Sequence, residues 1–273
     1  MNFFIENPNF DIKQTFLCGQ CFRWTECENG DFEGIAGGRY LKARQSDKGV
    51  ELLNIDENDI PFWENYFDMS TDYAAVIKQL SADKILCEAA KNASGIRILR
   101  QEPFETLISF IISQNNNIPR ITGIISRLCE SFGKPMSNGY SFPDAETLAA
   151  LDENSLAPLR AGFRARYIID GARKVADGSV DFAAIDKMDY ESGKAALKQI
   201  VGVGDKVADC VLLFAFAISP SYTLFNSAYV YFPVPYSPLL TTLLSVKRLY
   251  GARSIPKSVQ CRLRRASILE IRL

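Results

Sequence analysis

Apolar residues recur along this chain with two different periods, and the change between them divides it. Up to about residue 60, short alternating stretches at 21–26, 31–36, 39–44 and 50–55 are separated by Asn29-Gly30, Gly37-Gly38 and Lys48-Gly49. Alternation bounded by glycine turns predicts an antiparallel sheet. Beyond Pro61 the period becomes helical. Ile121, Ile124, Ile125 and Leu128 fall at i, i+3, i+4 and i+7, which puts them on one helix face. Pro103 suits the first turn of an earlier helix carrying Leu107, Ile108, Ile111 and Ile112. Further helices are predicted over 143–151, 164–176, 190–199 and 205–216. The pattern gives an α+β chain in three parts. A small antiparallel β-rich domain covers residues 1–100, a helical bundle covers 101–216, and a tail of different character covers 217–273.

The bulk composition narrows the chemistry. The 273 residues contain no histidine, which excludes Ser-His-Asp and Cys-His hydrolases, HExxH metalloproteases and imidazole acid–base catalysis. Seven irregularly spaced cysteines are not a secreted disulfide framework. The opening residues lack the basic and apolar regions of a signal peptide. A reduced, cytoplasmic setting is therefore expected. The charge-free run from Cys210 to Val246 is interrupted by Pro220, Pro233, Pro235 and Pro238, so no membrane span is expected. Cys18 and Cys21, with Cys27 nearby, fall short of the four ligands a structural zinc site takes, and no metal or other cofactor is expected.

The formal net charge of −1 conceals an uneven distribution. Residues 210–273 carry eight basic side chains against Glu270 alone, which leaves 23 basic and 31 acidic residues in 1–209. No aspartate follows Asp209.

The most informative stretch lies at 198–210. A predicted helix ends near Gln199, Gly202 and Gly204 bracket Val203, and another helix begins at once. Such a turn leaves backbone N–H groups pointing outward at a helix N-terminus, a geometry that binds phosphate without reading sequence. A plain helical hairpin also uses glycine there, and the glycines alone leave both readings open. Lys206 sits in the first turn of the second helix, where the macrodipole disfavours an ammonium ion. A lysine so placed is either a neutral nucleophile or a solvated phosphate contact.

The segment Ile200-Val201-Gly202-Val203-Gly204-Asp205-Lys206-Val207-Ala208-Asp209-Cys210 resembles the helix–hairpin–helix of bifunctional DNA glycosylases, above all the 8-oxoguanine DNA glycosylase/AP lyases. Gln114-Asn115-Asn116-Asn117-Ile118-Pro119-Arg120-Ile121 resembles that family's asparagine-rich turn. Gly162-Phe163-Arg164-Ala165-Arg166-Tyr167 is similar to its second DNA-contacting turn, and Cys18-Gly19-Gln20-Cys21-Phe22-Arg23-Trp24 to its N-terminal Gly-Gln-x-Phe-Arg-Trp.

The resemblance implies a glycosylase bundle acting on damaged double-stranded DNA, as a monomer without cofactor, associated with the nucleoid if the source is prokaryotic. It implies that Lys206 attacks the deoxyribose C1′, expels 8-oxoguanine, forms a Schiff base and eliminates the 3′ phosphate. Asn115 would fill the hole left by the flipped base, while Arg120 and Arg164 would hydrogen-bond the orphaned cytosine. On residue chemistry alone the asparagines could equally be a helix cap or turn. Phe163, where many relatives have tyrosine, would wedge beside the estranged base. The Gly19 carbonyl would accept from N7–H of the damaged purine. Cys210 would lie against that base, or else serve as a buried core thiol. Gly202, Val203 and Gly204 would hold the DNA backbone.

One element of the family is missing. Its aspartate, in a Pro-Val-Asp context after the lysine, has no counterpart; the chain offers Pro233-Val234-Pro235 instead. Motif matching by residue stops near Ala217. A slipped reading frame there is the favoured expectation, and a divergent tail the other. The alternative function is a DNA-binding protein of the same fold with impaired catalysis.

Overall fold

The computed structural model describes residues 1–218 apart from 8, 82–86, 88, 89, 91 and 92. The expectations for residues 219–273 lie outside the described residues. Among the described residues, one unit comprises Met1–Asp72 and the chain from Gly95 to residue 218, and a second contains Tyr73–Ser94 with helix Tyr73–Leu80.

In the first unit, β1 (Phe3–Glu6), β2 (Trp24–Glu26), β3 (Phe32–Ala36), β4 (Arg39–Ser46) and β5 (Gly49–Leu53) form an antiparallel sheet in the order β1-β5-β4-β3-β2. The four predicted strands are all present. The first is shorter than predicted, because only 24–26 pair with β3. The sequence reading missed β1, in which three apolar residues in succession hide the alternation; its pairing with β5 sets Ile5 opposite Val50. Also missed was α1 (Ile12–Leu17), a single short turn-and-a-half that Asp11 starts by accepting from Gln14 N at 2.8 Å.

One face of the sheet closes over an aromatic core. Phe16 stacks on Trp24 with ring centroids 3.9 Å apart, and Trp24 Nε1 donates to the Tyr66 hydroxyl at 2.9 Å. Trp63 and Phe67 complete the cluster with Leu41 and Leu52. Tyr66 and Trp63 come from α2 (Ile60–Tyr66).

The helical part is organised around α3 (Pro103–Ser113). Glu102 starts it, its carboxylate accepting from Phe104 N and Glu105 N. Periodicity predicts one apolar face on α3, yet every residue from Thr106 to Ile112 is buried. The reason is tertiary: α4 (Ile118–Phe132), α6 (Arg164–Ala176) and α9 (Asp205–Phe216) all pack against it. The remaining helices of this unit are α5 (Ala145–Ala149), α7 (Phe182–Ile185) and α8 (Tyr190–Leu197). The predicted helices at 143–151 and 190–199 are real but shorter, since Asp144 and Asp189 cap them from outside and the chain turns away after Ala149 and Leu197.

Glu105 joins the two parts of this unit. Its carboxylate meets Arg23 Nη1 at 3.1 Å, with both side chains mostly buried. Burial pushes the Glu105 carboxyl up to about 7, although the Arg23 guanidinium opposes the rise. A carboxyl that holds its proton more tightly when folded stabilises the fold fully below its unfolded value, and loses that contribution as pH rises through the folded value. Stability is therefore expected to fall between about pH 4.5 and 7 by roughly 3 kcal/mol from this group. Urea unfolding across that window, with Glu105→Gln as comparison, measures it. A variant whose stability declines as steeply as the parent's would show that Glu105 is not responsible.

Candidate functional site

Asn117 caps α4 through its side-chain oxygen, which accepts from Arg120 N at 3.0 Å, and Pro119 occupies the first turn. Asn116 Nδ2 donates back to the Ile112 carbonyl at 3.1 Å. These two asparagines have the cap and turn roles their chemistry allows. Asn115 differs: it is exposed and adopts φ 48°, a left-handed conformation that asparagine tolerates best among non-glycine residues.

That turn is held from below by Arg164. The side chain is 2% exposed. Its Nε donates to the Gln114 carbonyl at 2.8 Å, one Nη to the Asn115 carbonyl at 2.8 Å and again to Gln114, and the other to the Ala161 carbonyl at 3.1 Å. Desolvation, then the nearby Arg120 charge, lower its pKa. The resemblance implies that Arg164 hydrogen-bonds an orphaned cytosine; without DNA its fork holds the backbone carbonyls of this turn. Arg120 is exposed, and its guanidinium makes a long contact, 3.4 Å, to the Arg160 carbonyl. Phe163 lies above Arg164, with the guanidinium 4.5 Å from its ring centroid, and it is 49% exposed. So large an exposed ring needs explanation.

The third component is the hairpin from α8 to α9. Val201 N donates to Asp170 at 2.6 Å and Val203 N to the Ile200 carbonyl at 3.0 Å, which folds the turn tightly. Gly202 has φ 84°, and a Cβ there would lie 2.5 Å from the Tyr167 ring. The Val203 side chain is buried, so only its backbone faces out. Gly204 is the N-cap of α9 in extended backbone with open space around it. No side chain caps that helix, leaving its first amides open to an anion.

The two glycines should therefore respond differently to substitution. Gly202→Ala is expected to cost about 2–4 kcal/mol, from backbone strain and the clash with Tyr167. Gly204→Ala should change stability by less than about 1 kcal/mol while placing a methyl group where a phosphate would approach, weakening duplex binding. Thermal unfolding and fluorescence anisotropy of the two variants separate these effects. Equal stabilities would contradict the assignment.

These segments meet at a cavity of about 320 Å³ lined by Phe110, Ser113, Gln114, Asn115, Phe163, Gly204, Lys206 and Val207. Four predicted residues, Asn115, Phe163, Gly204 and Lys206, thus share one cavity. Lys206 is exposed, and among the described residues its ammonium has no ion-pair or hydrogen-bond partner. Cys210, one turn on, is fully buried in the core and does not line the cavity.

Gly19 has φ 88° in the turn that follows α1. Its neighbour Gln20 fixes that turn: the buried amide donates to the Thr15 and Arg97 carbonyls, both at 2.8 Å, and accepts from Leu99 N at 3.0 Å. The Gly-Gln-x-Phe-Arg-Trp pattern alone gives no sign of this role, because the Arg97 and Leu99 partners lie about 80 residues away. Cys18 Sγ donates to the Thr15 carbonyl and Cys21 Sγ to that of Phe16; burial raises the Cys18 thiol to about 11 and also pushes the Cys21 thiol well above its ordinary value.

A five-stranded sheet, a bundle around one buried helix, and a glycine hairpin presenting a lysine define a helix–hairpin–helix protein of the DNA-glycosylase class. Comparison with known proteins agrees. Residues 2–107 match the 8-oxoguanine DNA glycosylase N-terminal domain, and residues 108–260 the HhH-GPD superfamily of base excision DNA repair proteins. The second match runs beyond residue 217 into the basic tail. The chain belongs to the 8-oxoguanine DNA glycosylase family within the HhH-GPD superfamily. It is 43% identical over 141 residues to the Saccharomyces cerevisiae N-glycosylase/DNA lyase, covering 46% of this chain and 38% of the yeast protein. It is 30% identical over 237 residues to Arabidopsis thaliana N-glycosylase/DNA lyase OGG1, covering 77% and 62%. The matched segment thus spans less than two thirds of either curated relative. Clostridium acetobutylicum 8-oxoguanine glycosylase/lyase, solved with double-stranded DNA containing cytosine opposite 8-oxoguanine, superposes with TM-score 0.78 at 34% identity, covering 94% of this chain and 88% of that one. No described helix is long and apolar enough to cross a membrane.

Proposed function

We propose that this chain excises 8-oxoguanine from duplex DNA and cleaves the resulting abasic site, with Lys206 as nucleophile. The observation that carries the reading is the shared cavity, where an exposed, unpaired lysine stands beside Asn115, Phe163 and the open helix end at Gly204. Open amides of the hairpin bind a phosphate beside the lesion. Phe163 unstacks the step and Asn115 enters the space the base leaves. Exposed Arg120 has donors to offer the orphaned cytosine, whereas Arg164 acts by shaping the turn. The Gly19 carbonyl recognises N7–H of the damaged purine.

The Lys206 amine then attacks C1′ as the C1′–N9 bond breaks, and the departing purine takes the electron pair. Loss of a proton from nitrogen and opening of the sugar give a Schiff base. Removal of a C2′ proton expels the 3′ phosphate, and water releases the amine.

A second reading, binding of damage without excision, is favoured by one observation. No aspartate follows Asp209, and Asp205 and Asp209, which flank Lys206, are ion-paired to lysines of α8. Incubation with 8-oxoguanine:cytosine, oxidised-pyrimidine and undamaged duplexes under borohydride tests both. A covalent complex confined to 8-oxoguanine supports excision. Damage-selective binding with neither trapping nor strand cleavage supports the second reading. A trapped complex on oxidised pyrimidines alone would redirect the substrate assignment. For the tail, we propose a reading frame slipped near residue 217; genomic sequence with a continuous Pro-Val-Asp frame tests it, and an unbroken frame in the present form overturns it.

A further inference from the structure

Lys206 lies within three helical positions of two carboxylates, and it pairs with neither. Asp209 is at i+3, a spacing at which opposite charges on a helix meet, and Asp205 is adjacent in sequence. Both are drawn instead toward the end of α8. Lys194 Nζ meets Asp209 at 2.8 Å and Asp205 at 3.7 Å, and Lys198 Nζ meets Asp205 at 2.8 Å. The Tyr190 hydroxyl donates to Asp209 at 2.6 Å and accepts from Lys194 at 3.0 Å. Tyr190, Lys194 and Lys198 recur every four residues, so they form one stripe along α8 and its C-cap facing Asp205 and Asp209 on α9.

The Lys194 side chain is only 17% exposed. A lysine that deeply placed is costly unless paired. Although burial opposes it, the bonds to Asp209 and Tyr190 hold its ammonium above the ordinary lysine value. On the cavity side, the groups lining the space around Lys206 from α3 and the Phe163 turn are uncharged. The charged groups near that wall are Arg164, engaged with carbonyls beneath Phe163, and exposed Arg120. Among the described residues, Asp205 and Asp209 are thus the carboxylates placed to neutralise Lys206, and the Tyr190–Lys194–Lys198 stripe occupies both.

We propose that Lys194, supported by Tyr190 and Lys198, is a positioning residue that keeps the Asp209 and Asp205 carboxylates away from Lys206 and so preserves its amine as a nucleophile. This rests on the reading of Lys206 given above. Releasing Asp209 lets it pair with Lys206, and a nearby opposite charge favours the ammonium form. The amine would then become available only at higher pH.

The test is the pH dependence of the borohydride trapping rate on an 8-oxoguanine:cytosine duplex, using the full chain. Lys194→Met is expected to move the midpoint upward by about one pH unit, lowering the rate below the midpoint by roughly tenfold. Lys194→Arg should restore the parental profile, and so should Lys194→Met combined with Asp209→Asn, which removes the released carboxylate. If Lys194→Met does not fold, Lys198→Met, which leaves the more exposed Asp205 only its 3.7 Å contact with Lys194, should shift the midpoint by a smaller amount in the same direction. A folded Lys194→Met whose melting temperature drops while its midpoint stays parental overturns the assignment and leaves the Lys206 reading intact. A parent chain that traps at no pH overturns both.

Discussion

Lys206→Gln is expected to retain duplex binding within about tenfold of the parent and to form no borohydride-trapped complex, with strand cleavage at an abasic site lowered at least ~10³-fold. Glutamine keeps most of the side chain's length but cannot form an imine. Because Lys206 is exposed and makes no partnered contact among the described residues, its replacement removes no packing, and the melting temperature should move little. Phosphate binding depends on the hairpin's backbone and survives the change. Gel-resolved trapping and cleavage, with anisotropy for affinity, measure the two parts separately. A trapped complex that persists in the variant would place the nucleophile elsewhere and end the Lys206 proposal.

Arg164→Ala is expected to be the most destabilising substitution near the site, by about 3–5 kcal/mol. The change strips hydrogen bonds from the Gln114, Asn115 and Ala161 carbonyls, and it opens a void beneath Phe163. The buried Ala161 carbonyl, left without a donor, costs its full desolvation penalty, and the part-buried Gln114 and Asn115 carbonyls cost part of theirs. The left-handed turn at Asn115 loses its anchor as well, so selectivity for a flipped base should fall together with stability. Arg164→Lys, which keeps the charge but loses the fork, should recover only part of the loss. Urea denaturation measures the energy, and binding to damaged against undamaged duplex measures the selectivity. A loss below about 1 kcal/mol with selectivity unchanged would show that the turn stands without Arg164.

What the sequence determined by itself is local. Alternation and glycine turns located four strands because a pleated strand repeats every two residues. The hairpin at Gly202 and Gly204 was legible because only glycine satisfies a left-handed φ against the Tyr167 ring, and helix α9 followed it over the predicted span. Lys206 stood out because it sits against the dipole of its own helix. The motif resemblance carried the family, which the comparisons bear out.

Only the tertiary structure decided how residues far apart in sequence divide the work. The edge strand β1 has no alternation to read and exists through pairing with β5. Arg120 and Arg164 looked equivalent as arginines beside DNA-contacting turns. One is exposed, and the other is enclosed by the carbonyls of a turn 50 residues away. Cys210 and Lys206 share a helix separated by one turn, yet Cys210 faces the core and Lys206 the cavity. The state of Asp205 and Asp209 could not be read from their spacing to Lys206, because the helix beside them supplies stronger partners. Periodicity specifies which face a side chain occupies, while the neighbour that face meets depends on packing between segments. The environment of each charge, and therefore its chemistry, is set there.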